Sequence, residues 1–207
     1  METIQAWVAL IKDIITGLAA LTAAVIAIMG LQTWKKQLRG KTEYELAQRM
    51  LRAVYQFREA LAWVRYWIMD ETEMFQAVNE AKIEDSPTDM NKTFARRRKA
   101  VYQKRWQKVL EASVELDSIS LEAEAIWGQV AKESVKPLLE CAGTLFATLI
   151  VYFEHIENPQ TNYSKEVKSR DHQIMFGVPG EKDNFFSNQI TAAVRKIEDF
   201  LKPFLKI

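Results

Sequence analysis

The feature that most constrains this chain is a run without a single charged residue, from Ile14 to Trp34. A helix rises about 1.5 Å per residue, so roughly 20 apolar residues cross a hydrocarbon core of about 30 Å. This run has 21 residues and ends on a tryptophan, a residue that favours the membrane–water interface. Lys35, Lys36, Arg39 and Lys41 follow at once, whereas the preceding segment holds only Lys12, beside Asp13. A basic excess on the C-terminal side predicts an N-terminus outside and a cytoplasmic C-terminal body, anchored in a bacterial inner membrane. A secretory signal would open on a positive segment and close on a small-x-small cleavage site. Here the opening is METIQ, without a base, and the run closes on Trp-Lys-Lys, so the expectation is a retained single-pass anchor.

At helical spacing this span has a small-residue side: Thr16, Ala19, Ala20, Ala23, Ala24 and Ala27, with Gly30 three residues on. Lipid tails are as apolar as leucine, so spans associate through close backbone approach, which small side chains permit. A homo-oligomer assembled through this side is expected. Gly40 then interrupts the helical pattern, and Thr42 with Glu45 forms a capping-box pair, which predicts a helix start near Thr42. The implied organisation is a membrane anchor over 1–34, a basic juxtamembrane hinge over 35–41 and a helical bundle over 42–207.

The body reads as all-α. Glycine and proline are few, seven and five, and helix-favouring residues dominate. Ala47, Met50, Val54, Phe57, Leu61, Val64 and Ile68 step by three and four, the seam of a bundle helix ending near Met69. Residues 70–89 are acidic and close on Ser86-Pro87, which predicts a long loop or a short helix. A basic helix is expected from Lys92 to Trp127, where Ser118 and Ser120 could break it, and another from Gln129 to Glu157, with Pro137 near its start or at a kink. The uncharged stretch Cys141–Phe153 has 13 residues, short for a span and suited to a buried core helix. Residues 158–183 are polar and turn-rich, and Phe186, Ile190, Val194, Ile197, Leu201 and Phe204 mark a last helix over 184–204. The expectation is an antiparallel bundle of about four helices.

Catalytic signatures are missing from the sequence. No phosphate-binding glycine loop, dinucleotide fingerprint, zinc-protease motif or paired-cysteine motif occurs. Cys141 reads as a buried packing residue and His155 as a favourable base at a helix C-terminus. Arg170, Asp171 and His172 adjoin one another, and an exposed polar loop accounts for them. Asn91 and Asn162 begin glycosylation sequons that a cytoplasmic body would leave unused. A non-enzymatic protein without cofactor or metal is therefore expected.

The one strong charge feature is Arg96, Arg97, Arg98, Lys99, Lys104, Arg105 and Lys108, with no acid between Asn91 and Val109. Four consecutive bases cannot neutralise one another along a helix, so their partner must come from elsewhere. The acidic 70–89 segment folding back is the first candidate. Anionic lipid headgroups are the second, drawing on Trp34, Lys35, Lys36, Arg39 and Lys41 as interface anchors. Nucleic acid, a nucleotide or another phosphorylated ligand is the third. Tyr102 and Trp106 interleave with these bases, but their spacing matches a core face rather than a base-stacking platform.

"WKKQLRGKTEYELAQRMLRAVYQFREAL" after an apolar span, with "FSNQITAAVRKIEDFLKPFL" near the end, resembles uncharacterised bacterial single-pass membrane-anchored helical proteins. The two stretches and the span cover about a third of the chain. The resemblance carries no catalytic residue onto positions here, and it implies an accessory or antiviral-defence setting. Together these readings predict a membrane-anchored helical sensor or interaction protein that self-associates through its span. Its partners would be the bilayer, further copies, and a protein or anionic ligand on the cytoplasmic side. The alternative is a membrane-tethered anion-binding module that uses the basic helix over 92–108.

Overall fold

In the computed structural model, the structure describes residues 2–83, 90–157, 164–177 and 183–205. Every element among them is an α-helix: α1 (Glu2–Arg65), α2 (Glu71–Glu80), α3 (Met90–Trp127), α4 (Gln129–Glu157), α5 (Lys165–Met175) and α6 (Phe185–Leu205). They divide into two compact units, 1–45 and 46–207.

The first unit is the N-terminal part of α1. Every described side chain from Ile15 to Arg39 is exposed. The helix start expected at Thr42 is not there. Thr42 lies inside α1, and its hydroxyl donates back to the Leu38 carbonyl at 3.1 Å. Glu45 pairs with Lys41 rather than reaching back to a cap, and Glu43 accepts from Arg39 Nε at 2.8 Å. Such i,i+4 pairs support a continuing helix by a few tenths of a kcal/mol each, about 0.2–0.5. Gly40 and the segment expected as a hinge are thus helical. The capping pattern is a false start because its residues find partners one turn away within the same helix.

The second unit is a bundle whose stripes are periodic on every long helix. On α1 the buried positions are Leu46, Ala47, Met50, Val54, Phe57, Leu61 and Val64; on α3 they are Tyr102, Val109, Leu116 and Ala123, one every heptad. On α4 they are Ala131, Val135, Leu138, Ala142, Leu145 and Leu149, and on α6 Phe186, Ile190, Val194, Ile197 and Leu201. Steps of three, four and seven keep one side of a 3.6-residue helix facing a single core. Pairings across the core set the directions. Arg49 meets Glu122 at 2.6 Å, Tyr55 meets Glu198 at 2.7 Å and Lys99 meets Glu157 at 2.9 Å. Further along, Arg105 reaches the Trp63 carbonyl, Arg65 the Ser187 hydroxyl and Trp106 the Phe146 ring, so rising numbers on one helix match falling numbers on the other: α1 runs antiparallel to α3 and α6, and α3 antiparallel to α4. Four long helices form the expected antiparallel bundle, with α2 and α5 added as short helices.

Gly128 alone joins α3 to α4. Its φ of +79° is the left-handed conformation that favours glycine at a helix C-terminus, and its N–H donates to the Glu124 carbonyl at 2.8 Å. Ser118 and Ser120 do not break α3; the Ser120 hydroxyl is buried and donates to the Leu116 carbonyl at 2.7 Å. Pro137 lies within α4. Helix α1 ends at Arg65 instead of near Met69, and Ile68, counted in the stripe, is exposed. Helix α5 occupies part of the segment expected as loop, capped by Ser164, whose hydroxyl accepts from the Val167 N–H at 3.3 Å. The apolar stretch of α4 buries Cys141, Ala142, Leu145, Leu149 and Phe153.

Candidate functional site

The acidic segment after α1 is positioned by its cap. Asp70 Oδ1 accepts from the Glu73 N–H at 2.6 Å, starting α2 with Glu71 and Glu73 in its first turn, where the helix dipole favours carboxylates. Ala77 of α2 packs on Ala100 and Val101, a small apolar cluster apart from the main core. Helix α2 therefore lies along the N-terminal part of α3 and presents its carboxylates to the basic run.

Arg105 is the centre of this arrangement. It sits on the buried face of α3, three residues after Tyr102 and four before Val109, and is only 1 % exposed. Its Nε and Nη2 donate to the two carboxylate oxygens of Glu73, both at 2.6 Å. Nη1 donates to the carbonyls of Trp63, at 3.3 Å, and Tyr66, and Nη2 also donates to that of Ile68 at 2.7 Å. A guanidinium has five N–H donors, and all five are used within the chain. The cation also lies 4.8 Å from the Trp63 ring centroid. Arg105 therefore ties the C-terminal carbonyls of α1 and its following loop to α2. Its donors are thus directed at the chain's own groups, in contrast to the anion-binding role expected from its place in the basic run.

The other bases divide between internal partners and open surface. Lys104 pairs with Glu80 at 2.7 Å and Gln76 at 3.2 Å, and Lys99 pairs with Glu157. Lys108 lies 5.5 Å from the Trp63 ring, and Arg98 lies 5.9 Å from that of Phe94. Arg97 and Arg98 are half-buried and Arg96 is exposed. Among the described residues the acidic segment, first of the three expected partners, engages Arg105 and Lys104 through Glu73 and Glu80, and α4 engages Lys99 through Glu157.

A second buried arginine went unnoticed in the sequence. Arg65, one residue past Val64, donates Nε to the Ile174 carbonyl at 2.8 Å and Nη2 to the carbonyls of Gln173 and Phe176 at 3.0 and 3.2 Å. It also donates to Asn184 Oδ1 at 3.2 Å and Ser187 Oγ at 3.0 Å. Asn184 Oδ1 in turn accepts from the Ser187 N–H at 3.0 Å, capping α6. One side chain of α1 thereby holds the end of α5 against the start of α6. Both arginines follow an apolar residue of a stripe by three or four positions (Leu61 to Arg65, Tyr102 to Arg105). A base inside an apolar stripe was the available signal.

His172 and Arg98 line a cavity of about 470 Å³ with Trp67 and Asn184, and Arg170 and Asp171 are not part of its wall. Asp171 is half-buried on α5 while Arg170 is exposed, so the adjacent trio does not converge into an acid–base group. Among the described residues no cluster of His, Cys, Asp and Glu has the form of a metal site. Cys141 is buried, and desolvation, with Glu140 adding to it, pushes its thiol pKa up. A protonated thiol in an apolar wall is a poor nucleophile.

The remaining candidate is the exposed N-terminal helix. Ile15, Leu18, Leu21, Val25, Ile26, Ile28, Met29, Leu31 and Trp34 are each more than half exposed. Thr16, Ala23, Ala24 and Ala27 share the side away from most of them and are exposed too; the side chains of Ala19 and Ala20 lie outside the described residues. Lys35, Lys36, Arg39 and Lys41 are exposed beyond Trp34. Among the described residues α1 and α4 are long and apolar enough to cross a membrane; α4 uses much of its apolar surface in the bundle core, and the apolar part of α1 uses none. No family model, curated protein or solved structure matches this chain.

Proposed function

We propose that this protein is a membrane-anchored, non-enzymatic helical interaction module whose N-terminal helix spans the bacterial inner membrane and self-associates there. The observation that carries the reading is the exposure of a helix segment that is apolar all round. Nine bulky apolar side chains between Ile15 and Trp34 stand more than half exposed. At about 25 cal/mol per Å² of apolar surface, such a segment is unstable in water and stable in lipid. Trp34 takes the interface, and the bases after it hold the C-terminal body on the cytoplasmic side. The small side made by Thr16, Ala19, Ala20, Ala23, Ala24 and Ala27 gives close packing between copies. The body supplies an interaction surface, in keeping with a stress or antiviral-defence effector.

Carbonate extraction with reporter fusions at both termini tests the anchor. The protein stays in the membrane fraction with its C-terminus cytoplasmic; a soluble product or a periplasmic C-terminus overturns the reading. For assembly, Ala23→Leu with Ala27→Leu lowers the native mass in mild detergent while the helical content of the body is unchanged. An unchanged mass sinks the self-association. Anion binding by α3 is the second reading and draws on the exposed Arg96 and Lys108 and on the half-buried Arg98.

A further inference from the structure

The chain after α1, the N-terminal part of α3, the end of α5 and the residue before α6 enclose a cavity of about 470 Å³. Pockets of roughly 300–1,000 Å³ suit small molecules. Its described wall holds a guanidinium, that of Arg98, and an imidazole, that of His172, and no carboxylate. Arg98 is half-buried, and its described neighbours are neutral: the Tyr102 hydroxyl, and the Phe94 ring at 5.9 Å. Lys99, Lys104 and Arg105 on the same helix each meet a carboxylate, whereas among the described residues Arg98 meets none. Holding a cation partly out of water without a counter-charge is costly, and an anion at the same place offsets that cost. A second guanidinium lies directly behind the wall. Arg65 donates to Asn184 Oδ1 and to the Phe176 carbonyl, both at 3.2 Å, and Asn184 and Phe176 are themselves wall residues. The charges in and behind the described wall are therefore positive. Two aromatic rings complete it: Trp67 stands 60 % exposed, and the Phe176 ring lies 4.8 Å from that of His172.

We propose that this cavity binds a small aromatic oxyanion, a carboxylate or phosphate group on a flat ring, with the oxygens on Arg98 and His172 and the ring against Trp67 and Phe176. A guanidinium presents its N–H donors as a planar fork that matches either group, and one hydroxyl cannot use all five of them. An imidazole carries at least one N–H in either protonation state, so His172 is a second donor. The indole and phenyl rings favour a flat partner through offset and edge-on contacts. Arg96 and Lys108 are not in the described wall, so the site goes beyond both functional readings and shares only Arg98 with the second.

The test is titration calorimetry on the full chain in a mild non-ionic detergent, with detergent alone as blank. The probes are 2-naphthoate and 2-naphthyl phosphate, and whichever binds tighter names the anionic group. The wild type binds that probe saturably, one per chain, and binds the neutral methyl 2-naphthoate and the ring-free acetate or inorganic phosphate about tenfold more weakly or worse. Arg98→Gln weakens probe binding by about tenfold, because a charge-assisted hydrogen bond is lost. His172→Gln and Trp67→Ala, at exposed positions, weaken it by a smaller factor and keep the test decisive should Arg98→Gln fail to fold. Arg96→Gln leaves it unchanged. Wild-type affinity in folded Arg98→Gln or in both other variants overturns the proposal, as does ester binding as tight as that of the anions. So does the lack of a saturable signal above the detergent blank for either probe. A wild type that binds a polyanion but neither probe refutes this site and leaves the second functional reading standing; binding of a probe without binding of a polyanion does the reverse.

Discussion

Replacing Arg105 by alanine tests the division of the basic run into structural and available charges. The substitution removes the partner of three carbonyls, those of Trp63, Tyr66 and Ile68, and of the Glu73 carboxylate. A buried polar group left unpaired costs about 1–3 kcal/mol, and breaking a buried ion pair by removing one partner costs about 3–5 kcal/mol in total. The lower part of that range applies, because Ile68 is exposed and Glu73 retains some access to water. Domains of this size are stable by about 5–15 kcal/mol, so the loss is a large fraction of the whole. In urea unfolding of the full chain in mild detergent, followed by far-ultraviolet circular dichroism, the midpoint falls by about 1–2 M. Arg96→Ala, nine residues away on the open surface, moves it by less than about 0.3 M. Arg105→Met combined with Glu73→Met recovers part of the loss, because no charge is then stranded, while the three carbonyls still lack their donor. A midpoint shift for Arg105→Ala as small as that for Arg96→Ala would refute the reasoning and return Arg105 to the pool of anion-binding candidates.

Three further outcomes follow from the same structure. A Cβ at Gly177 would lie 2.5 Å from Arg65 Nη2 and 2.6 Å from its Cζ, and that guanidinium is held by several hydrogen bonds. Gly177→Ala therefore destabilises the body by about 1–3 kcal/mol, and a melting curve that matches the wild type counts against Arg65 as a fixed clamp. The raised Cys141 pKa keeps the folded thiol neutral where an unfolded one, near pH 8.5, ionises. Stability then falls as pH rises past that point towards the folded value, and iodoacetamide at pH 8.5 labels Cys141 much faster in urea than in buffer; equal rates contradict the burial. Arg96→Glu with Arg98→Glu weakens any salt-sensitive binding of a polyanion, whereas Lys104→Glu acts mainly on its pair with Glu80; absence of polyanion binding by the wild type even at low salt removes the second functional reading.

What the sequence by itself determined is whatever a single helix expresses along its own length. The uncharged run to Trp34, the steps of three and four on α1, α4 and α6, and the end of α3 at Trp127 before Gly128 were all legible. Periodicity, charge and a left-handed glycine are local properties, written within a turn or two of the residues concerned. The capping-box reading at Thr42 was equally local and failed, because the same residues satisfy an uninterrupted helix just as well. The tertiary structure alone decided which bases are held by groups from other helices. The partners of Arg105 lie 32 to 42 residues away and those of Arg65 108 to 122 away, so no window along the chain contains them. The same holds for the aromatic cleft between α3 and α4, which exists only once α4 folds back along α3. A charge or hydroxyl acquires its role from the groups that surround it, and in a bundle those groups come from other helices.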